Sequence, residues 1–278
     1  RIVSGPGALG QLGSLAGELG GSRILVVSDR GVVSAGHAQS GLDSIRAAGF
    51  PVELYDGVEE NPTAAHVRHG VQIAREFEPD LLVGLGGGSA MDCAKGINFV
   101  YSCGGEIRDF QGVGKASSQL LPMIAVPTTS GTGSETQSFA LISDDETHQK
   151  MACGDKQAAF KVAVLDPLTT LTQPAHVTAA TGIDAISHAV ESYVTRERNP
   201  LSMDYSREAW RLLSENFPRV FADPGDVEAR AGMQKGASLA GLAIEASMLG
   251  AAHSAANPLT AQYGIVHGVA IGLVLPAV

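Results

Sequence analysis

The sequence predicts an α/β domain in the amino-terminal half of the chain, followed by an all-helical domain. In the first half, short apolar runs alternate with segments of helical length, a pattern typical of βαβ units that build a parallel sheet. After Asp166-Pro167, Ala, Leu, Glu and Ser dominate and β-branched clusters become sparse, which favours helices. Hydrophobic residues make up 44% of the 278 residues, which is enough for a core and excludes a disordered chain.

Four near-continuous apolar runs are the candidate strands of the first half, at residues 23–28, 52–55, 81–85 and 123–126. Three longer segments between them predict helices, at residues 31–48, 63–77 and 89–101. Two weaker strands, at 138–143 and 162–165, flank the polar turn Asp144-Asp145-Glu146. Strands that alternate with helices of this length predict a parallel sheet.

The second half predicts three helices, at residues 175–195, 201–216 and 227–252. The breaks between them are Asn199-Pro200 and Asp223-Pro224-Gly225, which are typical turn sequences. The change in composition places a domain boundary near residue 170. The sequence therefore predicts a domain of residues 1–170 and a helical domain of residues 171–278.

The charge balance excludes several classes of partner. Lys and Arg number 19 against 29 Asp and Glu, which gives a formal net charge of -10. An acidic chain lacks the basic surface that nucleic acids and anionic membranes require. If it binds phosphates, backbone N–H groups and helix ends must supply the contacts.

The cysteines and the chain ends give further expectations. Cys93, Cys103 and Cys153 have no C-x-x-C spacing, which argues against a disulfide framework and a thiolate zinc site and favours the cytoplasm. The longest apolar run, at residues 269–278, is too short to span a membrane. The chain begins at Arg1 without Met and stops at Val278 within an apolar run, so we expect both ends to be truncated.

The first stretch with chemical meaning is LLVGLGGGSAMDCAK, at residues 81–95. A strand runs into Gly86, Gly87 and Gly88, where the missing Cβ atoms let a ligand approach the backbone. Ser89 and Asp92 have the spacing of a capping box, and a helix that begins there offers N–H groups to a diphosphate. A tight turn that binds nothing is the alternative. Dinucleotide-binding folds usually also carry an acidic residue about 20 residues downstream of the glycines, at the end of a second strand. This sequence predicts no strand that ends in an acidic residue at that spacing.

The second stretch is VPTTSGTGSE, at residues 126–135. Its hydroxyls and N–H groups are suited to lining a phosphate or a nicotinamide. Taken alone, the stretch reads more readily as a polar loop without a ligand.

The third feature combines one carboxylate with histidines. Asp184 and His188 are spaced i, i+4 and so lie on one helix face, while His253 and His267 follow later in the chain. Imidazole nitrogens with one carboxylate oxygen suit Fe(II) or Zn(II). The alternative reading makes Asp184 the capping-box partner of Thr181 and each histidine an ordinary residue.

The remaining histidines give no ligand pattern. His37, His148 and His176 stand alone, and we interpret them as ordinary residues. His66 and His69 are spaced i, i+3 without a third ligand, which indicates a solvated pair.

Taken together, these stretches resemble the iron-containing (group III) alcohol dehydrogenase family. The matching motifs run in the family's order over essentially the whole chain: GPGALGQLG, GGGSAMDCAK, VPTTSGTGSE, LDP, TGIDAISHAVESY and H-x3-N-P-L-x7-H-G. The resemblance implies a Rossmann-like dinucleotide-binding domain at residues 1–170 and a helical metal-binding domain at 171–278. This is the dehydroquinate synthase-like architecture, incomplete at its carboxy-terminus, with the site in the cleft between the domains.

The resemblance also implies roles for individual residues. The metal ligands would be Asp184, His188, His253 and His267. The diphosphate turn would be Gly87, Gly88 and Ser89. Further cofactor contacts would come from Asp29, Thr128, Thr129, Ser130 and Lys150. Asp29 stands at a strand end, where an acid favours NAD by repelling a 2′-phosphate. No side chain beyond the metal centre is implied as catalytic.

One departure from the family concerns Asn257. Several members have a histidine at this position, close to the metal, whereas asparagine cannot exchange a proton near neutral pH. A proton relay at this position would therefore fall to another group or to water.

The implied function is hydride transfer between an alcohol and NAD, giving an aldehyde or ketone, with Fe²⁺ or Zn²⁺ as the metal. We expect a cytoplasmic homodimer that acts on a small molecule and binds neither nucleic acid nor membrane. Alternatives within the superfamily are a glycerol dehydrogenase-like enzyme, a metal-free maleylacetate reductase-like enzyme, and a dehydroquinate synthase-like lyase. The full metal-ligand set speaks against the second, and the few basic residues of the helical half speak against the third. A catalytically inactive NAD-binding protein is the alternative of another class.

Overall fold

A computed structural model describes residues 1–147 and 149–278, so His148 lies outside the described residues. The chain divides into two compact units. The first unit comprises residues 1–128 and 138–166, and the second comprises 129–137 and 167–278. The segment 129–137 thus belongs to the second unit, although it precedes the predicted boundary near residue 170. That boundary stays a prediction.

The first unit contains nine strands and five helices among its described residues. The strands are β1 (Ile2–Ser4), β2 (Ile24–Asp29), β3 (Val52–Val58), β4 (Leu81–Gly86), β5 (Gly112–Val113), β6 (Met123–Pro127), β7 (Phe139–Ser143), β8 (Lys150–Gly154) and β9 (Val162–Leu165). The helices are α1 (Leu12–Glu18), α2 (Arg30–Ser34), α3 (His37–Ala47), α4 (Ala64–Phe77) and α5 (Gly88–Cys103).

Six of the strands form a parallel sheet in the order β1-β9-β6-β4-β2-β3. A smaller sheet has the order β5-β8-β7, in which β7 and β8 are antiparallel. The predicted parallel sheet and its four strands are confirmed. Strand β8 was not predicted, because its buried Met151 and Cys153 alternate with an exposed Ala152 over too short a run.

The large sheet is covered on both faces, which explains why its strands read as near-continuous apolar runs. One face packs against α1 and α3, through residues such as Leu12 and Ile45. The other packs against α4 and α5, through residues such as Val71 and Ile97. The carboxyl ends of β2, β4 and β6 therefore meet at one edge of a rigid layer.

Two predictions about helices in the first unit need correction. The helix predicted at 31–48 is divided into α2 and α3 by Gly36, which has a φ of 84°. His66 and His69 are not a solvated pair. His66 belongs to a capping box in which its Nδ1 accepts the N–H of Thr63 at 3.0 Å, while His69 is exposed.

The second unit is helical, with α6 (Ala175–Val194), α7 (Pro200–Ala222), α8 (Val227–Ser247), α9 (Ala251–Tyr263) and α10 (His267–Val274). Helices α6, α7 and α8 pack around a core rich in alanine, with Ala185, Ala209 and Ala237 among its buried members. Small side chains allow close helix–helix approach. Among the described residues, no helix combines the length and apolarity that a membrane span requires.

The helix predicted at 227–252 is wrong in a way that matters for the site. It ends at Ser247, since Met248 has a φ of 64°, and α9 begins at Ala251. His253 therefore lies in the first turn of a helix rather than at the end of one. Pro258 lies inside α9, and His267 is the first residue of α10.

Candidate metal centre and cofactor turn

The four predicted metal ligands come from three helices of the second unit. Helix α6 supplies Asp184 and His188, the first turn of α9 supplies His253, and the start of α10 supplies His267. The first three residues are each 4% exposed, whereas the side chain of His267 is 24% exposed. The cluster is therefore buried, with its most accessible member at His267.

One oxygen of Asp184 lies close to a ring nitrogen of each of the three histidines. The Oδ1 atom of Asp184 lies 3.4 Å from Nε2 of His188, 3.4 Å from Nε2 of His253 and 3.6 Å from Nε2 of His267. The Nε2 atoms of His188 and His253 are 3.1 Å apart. Ligand atoms held tetrahedrally about 2.1 Å from one ion are about 3.4 Å from each other. The spacing fits a shared first-row cation.

The hydrogen bonding of the cluster supports the same conclusion. Asp184 Oδ1 is buried and makes no hydrogen bond of acceptable geometry, although three imidazoles surround it. A buried carboxylate oxygen without a hydrogen bond is costly unless another positive group satisfies it. Among the described residues, Asp184, His188 and His253 form a group whose potential ligand atoms all lie within 4.8 Å of one another. Such a group could hold a metal ion.

The pKa values reflect how tightly these charges are coupled. Burial would raise the pKa of Asp184, but the charge of His188 and the close approach of His253 and His267 hold it well below its ordinary value. Burial would lower the pKa of His253, yet the carboxylates of Asp184 and Glu191 raise it to about 9. Burial lowers the pKa of His188. The carboxylates of Asp184 and Glu191 thus favour positive charge among the imidazoles, whether it is carried by a proton or by a metal ion.

The alternative reading of Asp184 as a helix cap is wrong. Helix α6 begins at Ala175, so Thr181 lies inside it. The Thr181 hydroxyl donates to the carbonyl of Val177 at 2.8 Å, a bond within the helix. The carboxylate of Asp184 faces the histidines instead.

Sequence reasoning missed Glu191, which contacts the cluster from behind. Its carboxylate hydrogen-bonds Nδ1 of His253 and accepts the N–H of Ala252 at 2.7 Å. The signal was present in the sequence, because Glu191 is spaced i+3 from His188 and i+7 from Asp184 on the same predicted helix.

The glycine turn lies between β4 and α5 in the first unit. Gly86 has a φ of 156°, and a Cβ there would lie 2.7 Å from the Cβ of Ala90, so the turn requires glycine at this position. Gly87, with a φ of −75°, and Gly88 are not in the positive-φ region. Both are partly exposed. The backbone conformation therefore does not require glycine at either position. The missing side chains instead leave room for a ligand to approach the backbone closely.

The capping box predicted for Ser89 and Asp92 is wrong. The N-cap of α5 is Gly87, and no side chain caps the helix. Asp92 instead accepts the N–H of Leu141 at 3.1 Å, which ties α5 to β7. The first turn of α5 thus keeps its N–H groups without a side-chain acceptor, as an anion site requires.

Two more predicted cofactor residues lie beside this turn. Asp29 ends β2, and a Cβ on Gly86 would lie 3.2 Å from its Oδ2 atom. Its Oδ1 atom accepts the N–H of Val32 at 2.9 Å, so the residue also caps α2. The N–H of Thr128 donates to the carbonyl of Gly86 at 2.9 Å. The three positions occupy the carboxyl ends of neighbouring parallel strands, where open α/β sheets bind their ligands.

The remaining predicted cofactor residues are Thr129, Ser130 and Lys150. Lys150 is the first residue of β8 and pairs in register with Ser143. Thr129 and Ser130 begin the segment 129–137 of the second unit, and Ser130 is buried.

The later part of that segment packs against α8. The hydroxyl of Ser238 donates to Glu135 Oε1 at 2.5 Å, and the hydroxyl of Thr136 donates to the Ser238 carbonyl at 3.0 Å. This half of the predicted cofactor loop therefore has a structural role within the second unit.

Comparison with known proteins agrees with this geometry. The model of the iron-containing alcohol dehydrogenase family matches residues 1–167, and the model of the C-terminal region of Fe-containing alcohol dehydrogenases matches residues 178–278. The chain is 35% identical over 276 residues to the NAD-dependent methanol dehydrogenase of Bacillus methanolicus, covering 99% of this chain and 72% of that protein.

Solved structures are similarly close. A 1,3-propanediol oxidoreductase superposes with a TM-score of 0.96 at 35% identity, covering 99% of this chain and 72% of the other. The sulfoacetaldehyde reductase of Bifidobacterium kashiwanohense, solved with NAD⁺, gives a TM-score of 0.93 at 31% identity, covering 100% and 73%. The resemblance drawn from the motifs is confirmed, and the chain belongs to the iron-containing alcohol dehydrogenase family.

Proposed function

We propose that Asp184, His188, His253 and His267 hold the metal ion of an NAD-dependent alcohol dehydrogenase, and that the glycine turn of the first unit holds its cofactor. The observation that best supports the metal site is the convergence of three Nε2 atoms within 3.6 Å of a buried carboxylate oxygen that makes no hydrogen bond. Nitrogen ligands with one carboxylate suit Fe²⁺, and they also accept Zn²⁺.

A divalent ion in such a site supplies Lewis acidity, which lowers the pKa of a substrate hydroxyl. The side chains of the chain have other tasks. Asp184, His188 and His253 are buried, and the partly exposed side chain of His267 marks the direction from which an alcohol would approach. Glu191 orients His253 through its Nδ1 atom.

The cofactor would lie against backbone rather than side chains. Gly87, Gly88 and Ser89 form the uncapped start of α5, which suits the diphosphate. Asp29, at the end of β2, is placed to accept hydrogen bonds from the ribose hydroxyls and to repel a 2′-phosphate, which favours NAD over NADP. Bound there, NAD would supply the hydride acceptor, so no side chain would need to act as a nucleophile.

The roles of the remaining cofactor residues stay part of the proposal. The proposed cofactor contact of Thr128 is supported by its hydrogen bond to Gly86. The proposed contacts of Thr129, Ser130 and Lys150 rest on the family resemblance alone. Asn257 lies one helical turn after His253 on α9 and is exposed. Because its amide cannot exchange a proton, we propose that water takes the alcohol proton on this side.

The proposal extends to the setting of the enzyme. Methanol, 1,3-propanediol and sulfoacetaldehyde are among the compounds named for the relatives, and a small alcohol or the matching aldehyde is the substrate class that we propose. Cys93, Cys103 and Cys153 are free thiols, which supports the cytoplasm. We also propose a homodimer, which light scattering during size-exclusion chromatography would test.

The deciding experiment follows NADH absorbance under anaerobic conditions while small alcohols and aldehydes are screened with the Fe²⁺-loaded protein. Bound metal is measured on the same sample by mass spectrometry. Turnover with one metal ion per chain is the expected result. Stoichiometric NADH binding without metal and without turnover would instead identify an inactive NAD-binding protein.

A further inference from the structure

We infer that Glu191 is a positioning residue that fixes both the backbone and the imidazole ring of His253, so that Nε2 of His253 faces the metal site. The inference rests on the proposed metal site and goes beyond it, because Glu191 is not a ligand. It is 3% exposed, and its two carboxylate oxygens have different partners on α9.

One oxygen controls the ring. Glu191 Oε2 hydrogen-bonds Nδ1 of His253. A carboxylate is only an acceptor, so the proton of the neutral imidazole stays on Nδ1 and the lone pair stays on Nε2. That lone pair points toward Asp184 Oδ1 and His188 Nε2, at 3.4 and 3.1 Å. The carboxylate therefore selects the tautomer that can bind a metal.

The other oxygen controls the backbone. The N-cap of α9 is Gly250, and no side chain of its own segment caps the helix. Glu191 Oε1 accepts the N–H of Ala252 at 2.7 Å and that of His253 at 3.3 Å. Two of the first N–H groups of α9 are thus satisfied from α6, which fixes where the helix begins.

Gly250 makes this approach possible. A Cβ at this position would lie 3.0 Å from Glu191 Oε1, which is tighter than an ordinary contact. The φ of Gly250 is −127°, so the backbone itself does not require glycine. The missing side chain leaves space for the carboxylate.

Three residues of this arrangement lie on the same helix. Asp184, His188 and Glu191 occupy one face of α6, so a single helix provides two ligands and the group that orients a third. A purely structural helix cap would need only the contact with the backbone. A positioning residue needs the negative charge on the oxygen that faces Nδ1, and the two roles can be separated by experiment.

The test is Glu191→Gln, a change that retains shape and removes the charge. If the amide oxygen keeps its bonds to the backbone of α9, the amide nitrogen faces Nδ1 and donates to it, which moves the imidazole proton to Nε2. We expect the Zn²⁺ dissociation constant, measured by calorimetry on the metal-free protein, to rise about 10- to 100-fold. The helical circular dichroism and the unfolding midpoint of the metal-free protein should change little.

Two further variants complete the test. Glu197→Gln removes an exposed carboxylate just after α6 and should leave Zn²⁺ affinity unchanged. Gly250→Ala keeps the charge of Glu191 and pushes its carboxylate away from α9, so it should also weaken Zn²⁺ binding. It serves as the second test if Glu191→Gln folds poorly.

The outcomes are distinct. If the unsubstituted protein binds no Zn²⁺, the proposed metal site itself is wrong. If it binds Zn²⁺ and Glu191→Gln or Gly250→Ala binds it equally well in a folded state, the metal site stands and the positioning role is overturned. Weaker binding in both variants with intact helices supports it.

Discussion

The two candidate sites of this chain are built in different ways. The glycine turn uses backbone groups from one short contiguous stretch, Gly86 to Ser89, at the start of a helix. The metal cluster uses side chains from three helices that are separated by up to 83 residues, between Asp184 and His267. A backbone site depends on what is absent, namely side chains, whereas a side-chain site depends on several groups that must all be present and oriented.

Burial and charge follow the same division. The metal cluster is buried apart from the partly exposed His267, and its carboxylates and imidazoles shift one another's pKa values. The turn is partly exposed, and the carboxylate of Asp29 lies beside it. Removing one ligand from the cluster should therefore have a larger effect than changing one contact at the turn.

The largest effect is expected from His267→Ala. This change removes one of the four proposed ligands, so we expect loss of stoichiometric metal and a fall in kcat/KM of about 100-fold or more. NADH binding should survive, because the glycine turn belongs to the other unit. Metal content, turnover and the NADH dissociation constant are measured on protein prepared anaerobically.

His176→Ala is the matched control for this experiment. His176 is exposed near the start of α6 and should be replaceable without loss of metal. Full metal content and turnover in His267→Ala would contradict the four-ligand assignment.

The second effect tests the backbone site. Gly88→Val places a branched side chain where a diphosphate would lie, so we expect the NADH dissociation constant to rise about tenfold or more, about 1.4 kcal/mol. Gly88 is not in the positive-φ region, so the fold should tolerate the change, and metal content should remain one per chain.

Gly86→Ala provides the contrast within the same turn. Its φ of 156° and the 2.7 Å approach to Ala90 predict a loss of folding stability rather than a selective loss of NADH affinity. If Gly88→Val binds NADH with unchanged affinity, the turn is only structural.

The same difference explains what the sequence could predict. Buried strands such as β2 and β4 are contiguous apolar runs, so they and the glycine turn were visible without the structure. The i, i+4 spacing predicted only that Asp184 and His188 share a face. It could not predict that α9 and α10 bring His253 and His267 to them, and the motif resemblance supplied that part.

The errors lie where a local signal competes with tertiary contacts. Met248 has no helix-breaking side chain, yet its positive φ ends α8 and lets α9 begin just before His253. Ser89 is a favourable cap by type, but α5 begins earlier, at Gly88. Glu191 was missed because its partners, on α9, are more than 60 residues away in sequence.

A third prediction uses pH to separate the two sites. In the metal-free protein, carboxylates outweigh burial and raise the pKa of His253 to about 9, so at neutral pH a cation must displace its proton. We expect the apparent Zn²⁺ affinity to fall about tenfold for each pH unit below about 9. Calorimetry from about pH 8.5 to 6.5 checks the slope. NADH affinity should change much less over this range, since the turn offers backbone N–H groups, which do not titrate. A flat Zn²⁺ profile would contradict the assignment of His253 as a ligand.

The smallest effect is expected at Asp29, a charged side chain beside the backbone site. Asn caps helices about as well as Asp, so Asp29→Asn should retain the bond to the N–H of Val32 while removing the negative charge. Repulsion between a solvated carboxylate and a 2′-phosphate about 4 Å away amounts to about 1 kcal/mol. We therefore expect the ratio of kcat/KM for NAD to that for NADP to fall about fivefold.

Asp29→Gly should show the same shift in preference together with some loss of stability, because it also removes the cap of α2. Parallel steady-state measurements with both cofactors decide the matter. A ratio that is unchanged in Asp29→Asn would mean that this carboxylate serves only as a helix cap, and cofactor preference would then have to arise from the backbone of the turn alone.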